Sequence, residues 1–236
     1  MSSPNPLSSN SLSPTARTTL TRGRNRLVTE RAALHALLAD ALVAHLGITV
    51  GDHPLVLPTA FGVDIEGPDD GGSLYLHGSV AAGWLRSVRG ATVCVTFTEL
   101  DGLVTARSGF HHSMNYRSAV VIGAVREVDD VAERARALDL VVDQMVPGRA
   151  ATLRPPTRKE LAATVVLAVP LADASMKERG GGPVDDDVDV AAGVWGGHVP
   201  VRRVLDAPVS APDAHDRVPD DVRSLVARRG SVGCDA

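Results

Sequence analysis

Between residues 43 and 169 the chain reads mainly as short β-type runs, and helical spacing appears before them and in two intervening segments, 80–88 and 131–146. Leu34, Leu37, Leu38, Ala41 and Leu42 follow Thr29 at helical intervals, which predicts a helix from a Thr29 cap to about Leu42. The period then shortens to two. Residues 43–50 and 54–61 read as β-strands split by Gly51-Asp52-His53, a hairpin signal. Gly67-Pro68-Asp69-Asp70-Gly71-Gly72 is a turn, and 73–77 is a third strand. Residues 80–88 read as a short helix closed by Gly90, and 91–98 as a Val- and Thr-rich strand. Asp101-Gly102 reads as a turn into 103–107, and 115–128 as a long strand holding Val120, Val121, Ile122 and Val125. An amphipathic helix over 131–146 stops at Pro147-Gly148, and 161–169 is the last clear strand. Strands in hairpin order with marginal helices predict a mainly β protein, an antiparallel barrel. A doubly wound sheet would need strand and helix to alternate.

Composition narrows the function classes. The chain has 236 residues, is 44% apolar and carries a net charge of −4, so it has material for a core but lacks the basic surface of a general nucleic-acid binder. No apolar run approaches the roughly 18 residues that cross a bilayer. Cys94 and Cys234 form neither a CxxC pair nor a disulfide framework, which suits a reducing, cytoplasmic setting. Residues 1–29 hold no acidic residue and are rich in Ser, Thr, Pro and Asn, so 1–26 reads as a disordered arm. It shares the acid-free composition of an organelle transit peptide but shows no amphipathic helix, and it lacks the apolar centre of a secretory signal. Residues 206–236 read as a Pro- and Asp-rich tail with one weak helical stretch at 222–229, leaving 27–205 as the domain.

Standard catalytic and nucleotide signatures (GxSxG, HExxH, Walker loop, GxGxxG) are absent. Gly180-Gly181-Gly182 reads as a linker. Asp185, Asp187 and Asp189 fail the calcium-loop pattern, because Val190 and Gly196 stand where glycine and glutamate are required; the run reads as a solvated one. His111-His112 are adjacent, a poor arrangement for one metal ion, so no metal site is assigned. Three segments carry more chemistry: Leu74-Tyr75-Leu76-His77-Gly78-Ser79, His111-His112-Ser113-Met114-Asn115-Tyr116-Arg117-Ser118, and Val194-Trp195-Gly196-Gly197-His198-Val199-Pro200. Ser79 at a helix start and the Arg117 fork suit a phosphate, Ser118 adds a donor, and Trp195 offers a flat face to a planar ring. A phosphate and a flat heterocycle together outline flavin mononucleotide (FMN). The competing structural reading pairs Arg117 with Glu99, Asp101 or Glu127, makes His77 a hydrogen-bonded strand end and puts Trp195 in the core.

These blocks, with Val146-Pro147-Gly148-Arg149 and Ser175-Met176-Lys177-Glu178-Arg179, give a chain that resembles the pyridoxamine 5′-phosphate oxidase-like, FMN-binding split-barrel superfamily over about residues 24–205. It resembles most the flavin-nucleotide-binding branch related to nitroimidazole resistance reductases. The resemblance implies a six-stranded Greek-key split barrel that forms a homodimer with two FMN sites at its interface. It implies that His77, Gly78 and Ser79 hold the flavin phosphate and that Tyr116, Arg117 and Ser118 reach the flavin. It further implies that Leu57, Pro58 and Thr59 run beside the ring, and that Lys177, Arg179 and Trp195 lie near the site. Val190 replaces a usual aromatic, and the substrate clamp of true pyridoxamine phosphate oxidases is not present, which puts the vitamin B6 reaction in doubt. The expected function is an FMN-dependent oxidoreductase acting on a small molecule, with His77 as the candidate proton-transfer residue. The alternatives are a non-catalytic flavin protein for storage or sensing, and a haem or deazaflavin binder on the same barrel.

Overall fold

The computed structural model describes residues 11–12, 15–19, 21–214 and 217–230, apart from the side chains of residues 86, 229 and 230. Cys234 lies outside the described residues, as do most of the arm and the end of the tail.

The chain begins with β1 (Leu27–Val28) and α1 (Arg31–Asp40), followed by the hairpin β2 (Ala44–Val50) and β3 (His53–Thr59). Then come β4 (Phe61–Asp64), β5 (Ser73–Ser79), α2 (Leu85–Val88), β6 (Thr92–Thr105) and β7 (Ser113–Ala124). After β8 (Arg126–Glu127) come α3 (Val131–Met145), α4 (Arg158–Ala163), β9 (Thr164–Pro170) and β10 (Ala174–Arg179). Last are α5 (Asp187–Ala191), β11 (Gly197–Pro200) and α6 (Asp220–Gly230). The protein is mainly β and antiparallel, as the β-type runs predict. Its strands form two sheets, one of seven strands in the order β1-β10-β7-β6-β2-β3 with β11 beside β6, and one of four in the order β4-β5-β9-β8. The described strands thus number eleven, beyond the six expected, and they close no barrel.

Strand alternation explains the layers. Val93, Val95 and Phe97 of β6, Ala119 and Val121 of β7, and Leu74 and Leu76 of β5 point into one core, which also takes Leu34, Leu37 and Leu38 from α1. Phe61 meets Phe97 edge-on there, with centroids 4.9 Å apart. Tyr75, Val166 and Ala168 point to the other side of the small sheet and pack under α3 through Ala137. That contact is close: a Cβ on Gly62 would lie 2.8 Å from the backbone nitrogen of Val141, so only glycine fits beneath α3. Among the described residues, Val56, Leu100, Leu103, Met114 and Val199 on the outer face of the seven-stranded sheet are exposed.

Several local readings differ from the structure. Glu30, not Thr29, precedes α1, and no side chain caps it. The expected helix over 80–88 shrinks to the four residues of α2. Asp101-Gly102 makes no turn, because β6 runs on through it as one strand of 14 residues with a register shift between Leu100 and Gly102. That bulge leaves Asp101 without a partner across the ladder. The expected arm engages the domain in its described part. Leu12 is only 4% exposed and belongs to the core, Ser11 bridges Glu30, and Thr15 and Thr18 donate to Asp173. Leu12 supplies apolar burial that a composition-based reading of the arm cannot see. In the expected tail, α6 is tied to the domain by Arg149, 3.3 Å from Asp221.

Candidate functional site

On β7 the residues alternate between two environments. Asn115, Ala119 and Val121 are buried toward the core, whereas Tyr116, Ser118, Val120 and Ile122 take the opposite face. The register sets Lys177 of β10 beside Ser118, with Thr98 of β6 on the other side, and sets Arg179 and Leu100 on either side of Tyr116. Along the same face, Val120 leads through Thr96 and His45 to Pro58 on the edge strand β3. Leu57 and Thr59 face the core, opposite the buried Leu46 and Ala44. Tyr116, Ser118, Lys177 and Pro58 therefore share one open sheet face, while Leu57 and Thr59 do not. Met114, Leu103 and Val199 form an exposed apolar row across β7, β6 and β11 at the margin of that face.

Arg117 is placed differently from the expectation. Its parity is that of the core, and its fork grips the bulge residue: Nε donates to Asp101 Oδ2 at 3.0 Å and Nη2 to Asp101 Oδ1 at 2.9 Å. Nη2 also donates to Asp40 Oδ2 at 3.1 Å. The hydrogen bonds to Asp101, with the Asp40 carboxylate beside it, push the guanidinium pKa above its already high ordinary value. Arg203 continues the network, donating to Glu99 Oε1 and to the backbone oxygen of Asp40. The fork expected to take a phosphate is thus committed to carboxylates of its own chain.

His77, Gly78 and Ser79 sit in the other sheet, opposite Val166, Val165 and Thr164. His77 lies on the Tyr75 side, half-buried, and its Nδ1 has no hydrogen-bond partner among the described residues. Burial pushes its pKa below the usual imidazole range, so the ring is neutral at neutral pH. Ser79 Oγ accepts the backbone N–H of Ala81 at 3.2 Å. The following helix, expected to present a full N-terminus to a phosphate, is reduced to α2. A Cβ on Gly78 would lie 3.3 Å from Trp84 Cζ2, so an indole packs against this strand end. Trp84 was missed in the sequence; its position just after the His77-Gly78-Ser79 block was the available signal.

Trp195 is not in the core: it is 68% exposed just before β11. The acidic run beside it is not uniformly solvated either. The Asp185 side chain is 1% exposed and takes the Arg107 backbone N–H at 2.9 Å and Arg107 Nη1 at 2.8 Å. A second pairing missed in the sequence joins Arg126 to Asp69 and Glu133, with the Tyr75 hydroxyl donating to Glu133 at 3.0 Å. Within one chain, then, the candidate residues occupy two places, an open face on the large sheet and a strand end on the small one. No group of three or more His, Cys, Asp or Glu converges as a metal site among the described residues.

Residues 30–178 match the family model described as pyridoxamine 5′-phosphate oxidase. Among solved structures, the flavocytochrome Anf3 from Azotobacter vinelandii is similar with a TM-score of 0.82 and 32% identity, over 89% of this chain and 97% of that one. The FAD and heme binding protein from Mycobacterium smegmatis is similar with a TM-score of 0.78 and 40% identity, over 85% and 97% of the two chains. A structure from Bacteroides thetaiotaomicron, described as a 5-nitroimidazole antibiotic resistance protein, shares the fold at 24% identity and a TM-score of 0.52, over 64% of this chain and 85% of that one. None of the curated proteins matches.

Proposed function

Because the chain belongs to the pyridoxamine 5′-phosphate oxidase family, we propose that it is a flavin-binding oxidoreductase acting as a homodimer. The flavin rests on the open face of the seven-stranded sheet, and a second copy of the chain covers it. The observation that carries this reading is the shared face of Tyr116, Ser118 and Lys177 beside the exposed row Met114, Leu103 and Val199. An open sheet face with an apolar margin fits a partner, and the polar group inside it fits a planar, anionic cofactor.

When bound, the flavin supplies the electron-transfer chemistry. The chain's residues bind and orient it. Lys177 offers a cation and Ser118 a hydroxyl to its polar edge, Tyr116 offers a ring, and Pro58 flanks the same face. Arg117 acts indirectly, by fixing the β6 bulge that sets the end of this face. No helix among the described residues is long and apolar enough to cross a membrane.

A second reading adds a haem. It is favoured by the two relatives above 30% identity, one a flavocytochrome and the other an FAD and heme binding protein, and by the neutral His77 with its orphaned, buried Nδ1. A neutral imidazole is the form that binds iron, and such rings need a partner for the second nitrogen.

An absorption spectrum of the freshly purified protein, mass spectrometry of the released cofactor and light scattering test both readings. Flavin bands that bleach with a reduced nicotinamide, in a particle of twice the chain mass, are expected. A colourless monomer that takes up neither FMN nor FAD would refute the proposal. Flavin bands without turnover would reduce it to a carrier. A Soret band lost in His77→Ala, with the flavin retained, would support haem on His77.

A further inference from the structure

Where β10 ends and β7 begins, a cleft of about 380 Å3 opens between the short 3-10 turns Arg24–Arg26 and Gly109–His111 and the loop 180–184. Its charged lining is Arg26 and Arg179 against the one carboxylate of Glu178, and two imidazoles, His111 and His112, line it as well. Neither guanidinium has a carboxylate partner among the described residues. Arg179 donates to Asn115 Oδ1 and to the carbonyls of Gly181 and Gly182, none of them charged. Arg26 makes no side-chain hydrogen bond or ion pair among the described residues. Of the imidazoles, His111 stands 3.4 Å from Asp186, outside the lining, and His112 Nδ1 lies 2.9 Å from the Ser108 carbonyl. At the rim Phe110 is 92% exposed, an unusual position for a phenyl ring.

Two guanidiniums that bond no carboxylate among the described residues favour an anion between or beside them. Phe110, whose ring meets His111 edge-on with centroids 5.2 Å apart, keeps its other surface exposed and favours a flat heterocycle. Together they describe a nucleotide. The cleft lies at the end of the same ladder as the open face, where Leu27, next to Arg26, pairs with Lys177, and Lys177 pairs with Ser118. Its volume is at the low end of about 300–1,000 Å3 for small-molecule sites, enough for part of a dinucleotide and not for all of it.

We propose that this cleft holds the adenosine diphosphate end of a flavin dinucleotide, with Arg26 and Arg179 on the pyrophosphate and Phe110 on the adenine, so that the protein selects FAD over FMN. The inference rests on the flavin reading above and goes beyond it by naming the nucleotide and the residues that discriminate.

The test is titration of the full chain, stripped of flavin, with FAD and with FMN, following flavin fluorescence, for the wild type, Arg26→Gln and Phe110→Ala. Both positions are at the rim, and unchanged far-UV dichroism and melting temperature check the fold. Tighter binding of FAD than of FMN is expected in the wild type. Each variant should raise the FAD dissociation constant roughly ten- to a hundredfold and leave that for FMN unchanged. Equal weakening of both flavins, or no weakening, overturns the assignment while leaving the flavin reading standing. A wild type that binds neither flavin overturns both.

Discussion

Replacing Arg117 by alanine separates an arginine that holds the fold from one that holds a cofactor. Three charge-assisted hydrogen bonds are lost, two to Asp101 and one to Asp40. A bond to a charged group is worth about 1.5–3 kcal/mol when buried. Here the Arg117 side chain is 29% exposed and both aspartates are 38% exposed, so solvent screening reduces the total. A loss of about 1–3 kcal/mol is expected. Asp40 keeps Arg203, whereas Asp101 loses the fork that faces it at the bulge. In a chain of 236 residues that corresponds to a fall in melting temperature of about 3–10 °C. The assay is calorimetry of the apoprotein, with flavin affinity measured in parallel. A lowered melting temperature with unchanged flavin affinity is expected. Asp101→Asn should reproduce most of the fall, and the double variant should cost less than the sum of the two singles, because the pair is lost only once. An apoprotein of unchanged stability whose flavin dissociation constant rises thirtyfold or more would refute the reasoning and return Arg117 to the cofactor.

Burial and the Glu133 carboxylate push the Tyr75 hydroxyl up to about 12, so the fold holds a proton there that the unfolded chain gives up near pH 10. Its contribution is complete below pH 10 and lost between about pH 10 and 12, and in denaturant titrations Tyr75→Phe should flatten the alkaline fall of stability; identical slopes would count against it. Gly62→Ala drives a methyl to 2.8 Å from the α3 backbone and should destabilise by about 1–3 kcal/mol, read from the urea midpoint, with no change meaning that α3 does not sit where described. Deleting residues 1–19 removes the buried Leu12, the Thr15 and Thr18 donors to Asp173, and Arg17, which lies 2.6 Å from Asp173 Oδ2 off hydrogen-bond geometry. A loss of about 2–4 kcal/mol is expected, and a truncated chain that melts with the full one would show the arm to be idle.

Much of the fold was legible because it rests on period. Residues 73–77, 115–128 and 131–146 announce two strands and a helix by spacing alone, and the structure places β5, β7 followed by the short β8, and α3 there. What spacing could not show was β10. Ala-Ser-Met-Lys-Glu-Arg has weak strand propensity, and its place comes from pairing along six residues of β7. The fragments at 91–98 and 103–107 failed to join for a related reason. Asp-Gly is a strong local turn signal, and only the continued pairing of Gly102 with Asn115 and Leu103 with Met114 turns it into a bulge.

The candidate site was less legible, because family blocks name residues while parity decides where they point. Tyr116, Arg117 and Ser118 are consecutive, so they cannot all serve one face of a strand. Tyr116 and Ser118 go out to the open face, and Arg117 goes in. Its charge near the core needed a partner, and the extra residue of the β6 bulge supplied one in Asp101. The same logic divides Leu57, Pro58 and Thr59, of which Pro58 alone reaches the open face. In the proposed reading the phosphate-binding role first read into Arg117 passes to cations that lie outside the buried strand and have no carboxylate partner among the described residues. Lys177, Arg179 and Arg26 meet that condition, and they follow one another from the open face into the cleft at its end.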